Sequence, residues 1–256
     1  MERSRWLVSQ PIAHRGLYDE ARGRPENSLS AFEYAAARGV PIELDVQLAH
    51  DGLLIVVHDA NLARVAGFDA PVAELDRASL RRLRIGSDGP EGGGEMIPTL
   101  GEALAAVGAR VPIVIDVRRW RAGRTADLER AVANEIKGYS GELALQSFDP
   151  LAVFRLRRLV LDRPVGQVSG LLRSAGRIAG AVGRSMVTNF VTRPDFVSYE
   201  LAALPSRYPE FWRRHGIPLV AFTVSSTAAE ARAGELADNF FFSGYLPDIY
   251  RDRAPS

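Results

Sequence analysis

The chain contains no cysteine, which excludes disulfide frameworks, thiolate nucleophiles and zinc–thiolate centres. It also lacks any long apolar run. The opening residues Met1-Glu2-Arg3-Ser4-Arg5-Trp6 do not make the apolar stretch of a secretory signal, and no later segment is apolar for long enough to span a bilayer. The expectation is a chain without a transmembrane segment, cytoplasmic by default. An excess of one charge is missing too. With 32 basic and 31 acidic residues the net charge is +1, so no global basic field draws the protein onto nucleic acid. Histidine is scarce, at 4 residues in 256, and because it titrates near neutral pH the position of each one carries information.

What is present points to one large globular domain. The chain is 46% hydrophobic, enough for a sizeable core, and the expected domain runs over residues 1–256. Short apolar runs alternate with amphipathic stretches. The runs predict eight strands: Pro11–His14, Pro41–Val46, Val111–Val117, Leu143–Phe148, Val165–Gly170, Phe196–Tyr199, Leu219–Val224 and Asn239–Phe242. A hairpin arm, Leu53–His58, follows the second strand across the turn signal Asp51-Gly52. Helical patterns lie between the strands at Ser28–Arg38, Leu100–Val107 and Arg124–Lys137. The first is capped by Asn27 or Ser28 and stopped by Gly39. Such alternation predicts an α/β fold, a (β/α)8 TIM barrel, with a small insertion at about 59–99 after the second strand. That insertion holds one helical pattern, Asp76–Leu83, and a glycine-rich loop, Gly86–Gly94, and is placed to cover the site. No internal repeat appears beyond the strand–helix alternation, and the sequence leaves oligomeric state unread.

The chemistry-bearing residues fall where a barrel builds its active site, at the C-terminal ends of strands. His14 and Arg15 end the first strand, Glu43 and Asp45 the second, Asp116 and Arg118 the third, and Thr223 the seventh, while His58 and Asp59 end the arm. Side chains alternate along a strand, so Glu43 and Asp45 share a face, as do Asp116 and Arg118. Taken singly, each has a plain structural explanation: a histidine at a strand end is usually a hydrogen-bonder, and the run Arg118, Arg119, Arg121, Arg124 reads as a charged surface. Together they supply two proton carriers, cations suited to phosphate and an all-oxygen acidic seat. Oxygen ligands select a hard cation, Mg²⁺ or Ca²⁺, over zinc. Glu26 and Asn27 either orient His14 or Arg15 or simply begin the helix.

The ordered segments His14-Arg15-Gly16, Pro25-Glu26-Asn27-Ser28, Ile42-Glu43-Leu44-Asp45-Val46, Asp51-Gly52 and Val56-Val57-His58-Asp59 with Leu62 and Arg64 resemble the glycerophosphodiester phosphodiesterase family. The likeness continues more loosely through Ile97-Pro98-Thr99-Leu100, Ser147-Phe148 and Thr223-Val224. It implies a barrel enzyme that uses one divalent cation to hydrolyse glycerophosphodiesters, small-molecule substrates, to glycerol 3-phosphate and an alcohol, through a cyclic phosphate. Glu43, Asp45 and Asp116 are the implied metal ligands, His14 and His58 the acid–base pair, and Arg15, Arg118 and Phe222 the substrate contacts. The chain departs from the family pattern at three places. Asp116-Val117-Arg118 stands for Glu-x-Lys, shortening the third ligand by one methylene, about 1.5 Å of reach. Phe222 stands for a tryptophan, and Phe242-Ser243-Gly244-Tyr245-Leu246-Pro247 for a Thr-Asp-x-Pro ending. A phospholipase D-like enzyme that cyclises lysophospholipid or sphingolipid headgroups is the second reading; it would want an apolar rim, which Phe240-Phe241-Phe242 and Tyr245 could offer, although the strand pattern favours a buried eighth strand there. A non-catalytic phosphodiester-binding relative is the third.

Overall fold

The computed structural model describes residues 2–86, 94–120, 127–171 and 177–251. Eight parallel strands close into a barrel: β1 (Ile12–Ala13), β2 (Ile42–Leu48), β6 (Ile113–Val117), β7 (Leu143–Ser147), β8 (Val165–Ser169), β9 (Phe196–Glu200), β10 (Leu219–Val224) and β11 (Asn239–Phe242). Closure comes from β1, which pairs with β11 on one side and β2 on the other. Between β2 and β6 the chain makes an excursion: β3 (Leu54–Val56) pairs antiparallel with β2, and β4 (Arg84–Ile85) pairs with β5 (Glu95–Met96). The excursion also holds the short helices α2 (Ala63–Ala66) and α3 (Arg77–Leu80), the latter capped by Asp76. The glycine-rich loop and the predicted start of the helix at Arg124 lie largely outside the described residues.

Parallel strands covered on both faces must be apolar on both. Outward residues such as Ile42, Leu44, Val46, Ile113, Ile115 and Leu143 join the main core beneath the surrounding helices. The first of those helices, α1 (Leu29–Ala37), starts where the Ser28 hydroxyl accepts a hydrogen bond from the Ala31 N–H, and the chain turns away at Gly39 with φ 64°. Of the two candidate caps, Ser28 is the cap, and Asn27 is turned inward instead. The helix α4 (Leu100–Val107) opens with a reciprocal Thr99–Glu102 capping box. Inside the barrel, Ile12, Val114, Ala144, Phe196, Val220 and Phe241 fill the lower layer, and Trp6 and Leu7 join the same cluster. The insertion has its own small core of Ile55, Val57, Leu62, Val72, Leu75, Leu80, Ile85 and Ile97. Among the described residues no helix is long and apolar enough to cross a membrane.

Several predicted boundaries shift by one or two residues, such as the start of β6 from Val111 to Ile113, and the shift at the end of β2 bears on the site. β2 runs to Leu48 rather than Val46, because β3 pairs with its last residues and extends the ladder. Glu43 and Asp45 therefore sit inside the strand and not at its end.

A glycine keeps the lower layer filled. A Cβ at Gly166 would stand 2.5 Å from Cε2 of Phe196, whose ring is fully buried and has no room to yield. Gly166→Ala is expected to lower stability by about 1–3 kcal/mol through overpacking, measured by denaturant unfolding; an unchanged midpoint would show that the layer tolerates the methyl group.

Candidate active site

Three carboxylates meet at the mouth of the barrel. β2 and β6 are neighbours in parallel register with Asp45 opposite Asp116, and two residues earlier on β2 the Glu43 side chain shares the inward face. Oxygens of Glu43, Asp45 and Asp116 lie within 4.8 Å of one another, and all three residues are buried. Like charges that close repel by about 3 kcal/mol per pair even at an effective dielectric near 20, so the group is tolerated only with compensation.

The compensation comes from loops at the strand ends. Arg15 adopts φ 61° directly after β1, which aims its backbone N–H at Glu43 Oε2, 2.9 Å away, and brings its Nε to 3.5 Å from Asp45 Oδ2. Gly16 follows at φ 80°, where a Cβ would meet the Phe32 ring at 2.9 Å. Arg118 places one guanidinium nitrogen 3.2 Å from Asp45 Oδ1 and 3.4 Å from Asp116 Oδ2. Asn27, also at positive φ, clasps Asp45 twice: its amide donates to Oδ2 at 2.9 Å and its carbonyl accepts the Asp45 N–H at 3.2 Å. Glu26 binds the Arg15 guanidinium through both oxygens at 3.0 Å.

Two cations do not neutralise three anions, and the ionisation of the carboxylates reflects it. Burial, together with Asp45 and Asp116, pushes Glu43 well above the ordinary carboxylate range. Burial likewise pushes Asp116 up to about 7, against the pull of Arg118. Burial also works against ionised Asp45, but Arg118, His58 and Arg15 outweigh it and hold that group low. Asp116 Oδ1 is buried without a hydrogen-bond partner. An orphaned oxygen in an all-oxygen cluster with surplus negative charge fits a hard divalent cation held by Glu43, Asp45 and Asp116.

Both histidines stand near this cluster. His14 Nε2 is 3.9 Å from Glu43 Oε2, and burial and Arg15 lower its pKa to about 3. His58 shares its Nδ1 with Asp59 Oδ1 at 2.6 Å. An ionised carboxylate only accepts, so Nδ1 carries the proton and Nε2 keeps its lone pair. Burial lowers the His58 pKa as well, with Asp45 pulling it up and Arg118 pushing it down. An aromatic wall stands beside Arg118: its guanidinium lies 4.8 Å from the centre of the Trp120 ring and 5.6 Å from that of Phe148. Phe222 packs edge-on against Phe148, ring centres 6.0 Å apart.

The glycerophosphoryl diester phosphodiesterase family model matches residues 14–235. The chain belongs to that family. Its relatives are phosphoric diester hydrolases by name: a glycerophosphodiester phosphodiesterase of Bacillus subtilis is 25% identical over 255 residues, 93% of this chain and 84% of the other. One from Caldanaerobacter subterraneus is 38% identical over 159 residues, covering 60% of this chain and 64% of that one. The fold matches an Oleispira antarctica phosphodiesterase, solved with its product sn-glycerol-3-phosphate, at a TM-score of 0.76 and 22% identity, covering 92% and 93% of the two chains.

In this family member, His14, Arg15, Glu26, Asn27, Glu43, Asp45, His58, Asp116 and Arg118 are joined in one network of contacts and fields, and Phe222 reaches it through Phe148. One expectation is corrected. Arg119 is not part of a charged surface: it is buried against Glu129, whose side chain is fully buried, because Glu129 on the following helix needs a cation there. Phe240, Phe241 and Phe242 are buried where the eighth strand completes the barrel, as the strand pattern favours, and form no apolar rim. Three contributors carried no assigned role in the sequence: Asp59, Trp120 and Phe148. The signals were present in an acid directly after a histidine and in aromatics just beyond two strand ends.

A divalent cation held by Glu43 and Asp116 would compete with protons for them. Burial pushes both above the ordinary range, Asp116 up to about 7, so protonation is expected to oppose cation binding at low pH and affinity is expected to climb as pH rises. Titration calorimetry with Mg²⁺ or Ca²⁺ at several pH values reads this directly; an affinity that does not vary with pH would place the cation elsewhere.

Proposed function

We propose that the protein hydrolyses glycerophosphodiesters to glycerol 3-phosphate and an alcohol, with His14 and His58 as the acid–base pair. The observation that carries this reading is the convergence, at one barrel mouth, of two imidazoles close enough to feel each other's charge, two guanidiniums and a buried carboxylate trio. A phosphodiester needs each of these: cations for its non-bridging oxygens, a base for the attacking hydroxyl and an acid for the leaving alcohol.

Arg15 and Arg118 flank Asp45 and supply the positive field that receives the phosphoryl group. Burial lowers the pKa of His14 and His58 and that same field adds to it; an anionic diester offsets the field, raising the tendency of either ring to carry a proton. His58 is held by Asp59 with its Nε2 lone pair available. One imidazole takes the proton of the glycerol 2-hydroxyl as that oxygen bonds to phosphorus, and the other gives a proton to the departing alkoxide. The cyclic phosphate so formed is opened by water with the roles exchanged, regenerating both histidines. When bound by Glu43, Asp45 and Asp116, Mg²⁺ or Ca²⁺ supplies further positive charge for the phosphoryl oxygens. Phe222, Phe148 and Trp120 form the apolar wall against which the carbon skeleton of the substrate lies.

Buried Phe240–Phe242 leaves the lipid-cyclising reading without the rim it called on. The short Asp116 is offset by its position opposite Asp45 on the adjacent strand, which still brings it within the trio.

The test is release of glycerol 3-phosphate from glycerophosphocholine or glycerophosphoethanolamine by chelator-treated protein after metal is restored. His14→Ala and His58→Ala are each expected to reduce turnover by about 10²-fold or more with an unchanged circular dichroism spectrum. Full turnover in both variants would remove the proposed acid–base pair.

A further inference from the structure

Glu26 and Asp59 belong to different segments, one in the loop after β1 and the other at the end of the arm. Each is committed to a residue of the proposed machinery. Glu26 holds the Arg15 guanidinium at 3.0 Å with both its oxygens, and Asp59 holds His58 Nδ1 at 2.6 Å with one of its own. Both meet a single further side chain, Arg64, on α2 in the insertion. The Arg64 Nε donates to the second oxygen of Asp59 at 2.6 Å, and its terminal nitrogen bonds Glu26 Oε1.

The result is a continuous chain of charge-assisted contacts: His58, Asp59, Arg64, Glu26, Arg15, Asp45. Two links in the series, Glu26 and Arg64, touch no proposed metal ligand or imidazole, and Arg64 is the one that the insertion contributes. Arg64 lies half exposed, at 50%, whereas Glu26 is 10% exposed. A half-exposed ion pair contributes little to stability on its own. A guanidinium fork spanning two carboxylates fixes geometry, because its planar donors set both distances and orientations at once. Released from Arg64, the Asp59 carboxylate is free to turn about its side chain and loosen its hold on His58, and Glu26 loses one of the two cations that locate it beneath Arg15.

We propose that Arg64 is a positioning residue, which clamps the insertion to the loop after β1 and so sets His58 and Arg15 at a fixed separation across the phosphate seat. The inference rests on the proposed function for its catalytic meaning, and on the geometry alone for the clamp. A second contact of the insertion with the same loop supports it: Glu95 accepts from the Ser30 N–H at 3.1 Å, at the start of α1. Gly86 supports it too, since a Cβ there would strike Pro25 at 2.6 Å. The insertion is thus seated against residues 25–30, and Arg64 is the part of that contact that reaches functional side chains.

Arg64→Gln removes the charge and the fork while keeping a polar side chain; Arg64→Lys keeps the charge but reaches one carboxylate at a time. Steady-state kinetics on glycerophosphocholine are expected to show Arg64→Gln lowering kcat, through His58, and raising KM, through Arg15, with kcat/KM down by about 10–100-fold and the melting temperature little changed. Arg64→Lys is expected to recover part of one parameter and not both. Imidazole ¹⁵N resonances provide a readout that needs no turnover. In the wild type His58 is held as the Nδ1–H tautomer, and in Arg64→Gln it shifts toward a mixture. Unchanged kcat and KM in an active enzyme, or unchanged His58 resonances in any case, overturns the clamp. A wild type that releases no glycerol 3-phosphate defeats the proposed function instead, and the resonances then decide the clamp by themselves.

Discussion

Three carboxylates buried together in the mouth of one barrel set the terms for everything around them. Glu43, Asp45 and Asp116 share a space too small and too dry for three free negative charges, so the fold must bring positive charge to them or leave them protonated. Arg15 is forced into a left-handed turn to present both its backbone N–H and its side chain. Arg118 is drawn in from what the sequence presents as an arginine-rich surface. The two guanidiniums leave one negative charge of the trio uncompensated, and that remainder is what suits the trio to the divalent cation proposed for it. Burial lowers the pKa of both histidines and the same two guanidiniums add to it, so the proposed metal seat, phosphate seat and proton carriers share one electrostatic setting.

The barrel solves this problem by division of labour along its axis. Below the mouth, Phe196, Phe241 and their neighbours fill the interior so completely that β8 carries glycine at position 166 to make room. Above, the strands spend their inward positions on polar groups, Glu43, Asp45, Gln47, Asp116 and Gln146, all buried. The lower layer makes the strands rigid enough that side chains above it are held by backbone position and not only by one another. The insertion then closes one side of the mouth, with its own apolar core to hold its shape.

Much of this was legible in the sequence, and the parts that were not share a cause. The strand positions and the inward pairing of Glu43 with Asp45 follow from local periodicity, which depends only on neighbours along the chain. Asn27 was ambiguous because the same amide that suits a helix cap also suits a carboxylate clasp, and Ser28 beside it took the cap. Arg119 was misjudged because its partner Glu129 lies on the next helix and nothing local marks that acid as buried. Arg64 could be seen in the family pattern, yet its role depends on Glu26, distant in sequence and adjacent only once the insertion folds back. The end of β2 moved for a similar reason, since the arm that extends it pairs from across a turn. Local pattern fixes elements and the residues on their faces; partnerships between charges wait for the tertiary fold.

The central claim is that the carboxylate trio is a cation seat and not a protonated relic of one. Anomalous diffraction from crystals of the protein equilibrated with Mn²⁺ above neutral pH tests it most directly. The account predicts an anomalous peak within bonding distance of Glu43, Asp45 and Asp116, lost in Asp45→Asn. Well-ordered crystals with no peak at the trio, or with a peak that persists in that variant, would contradict it.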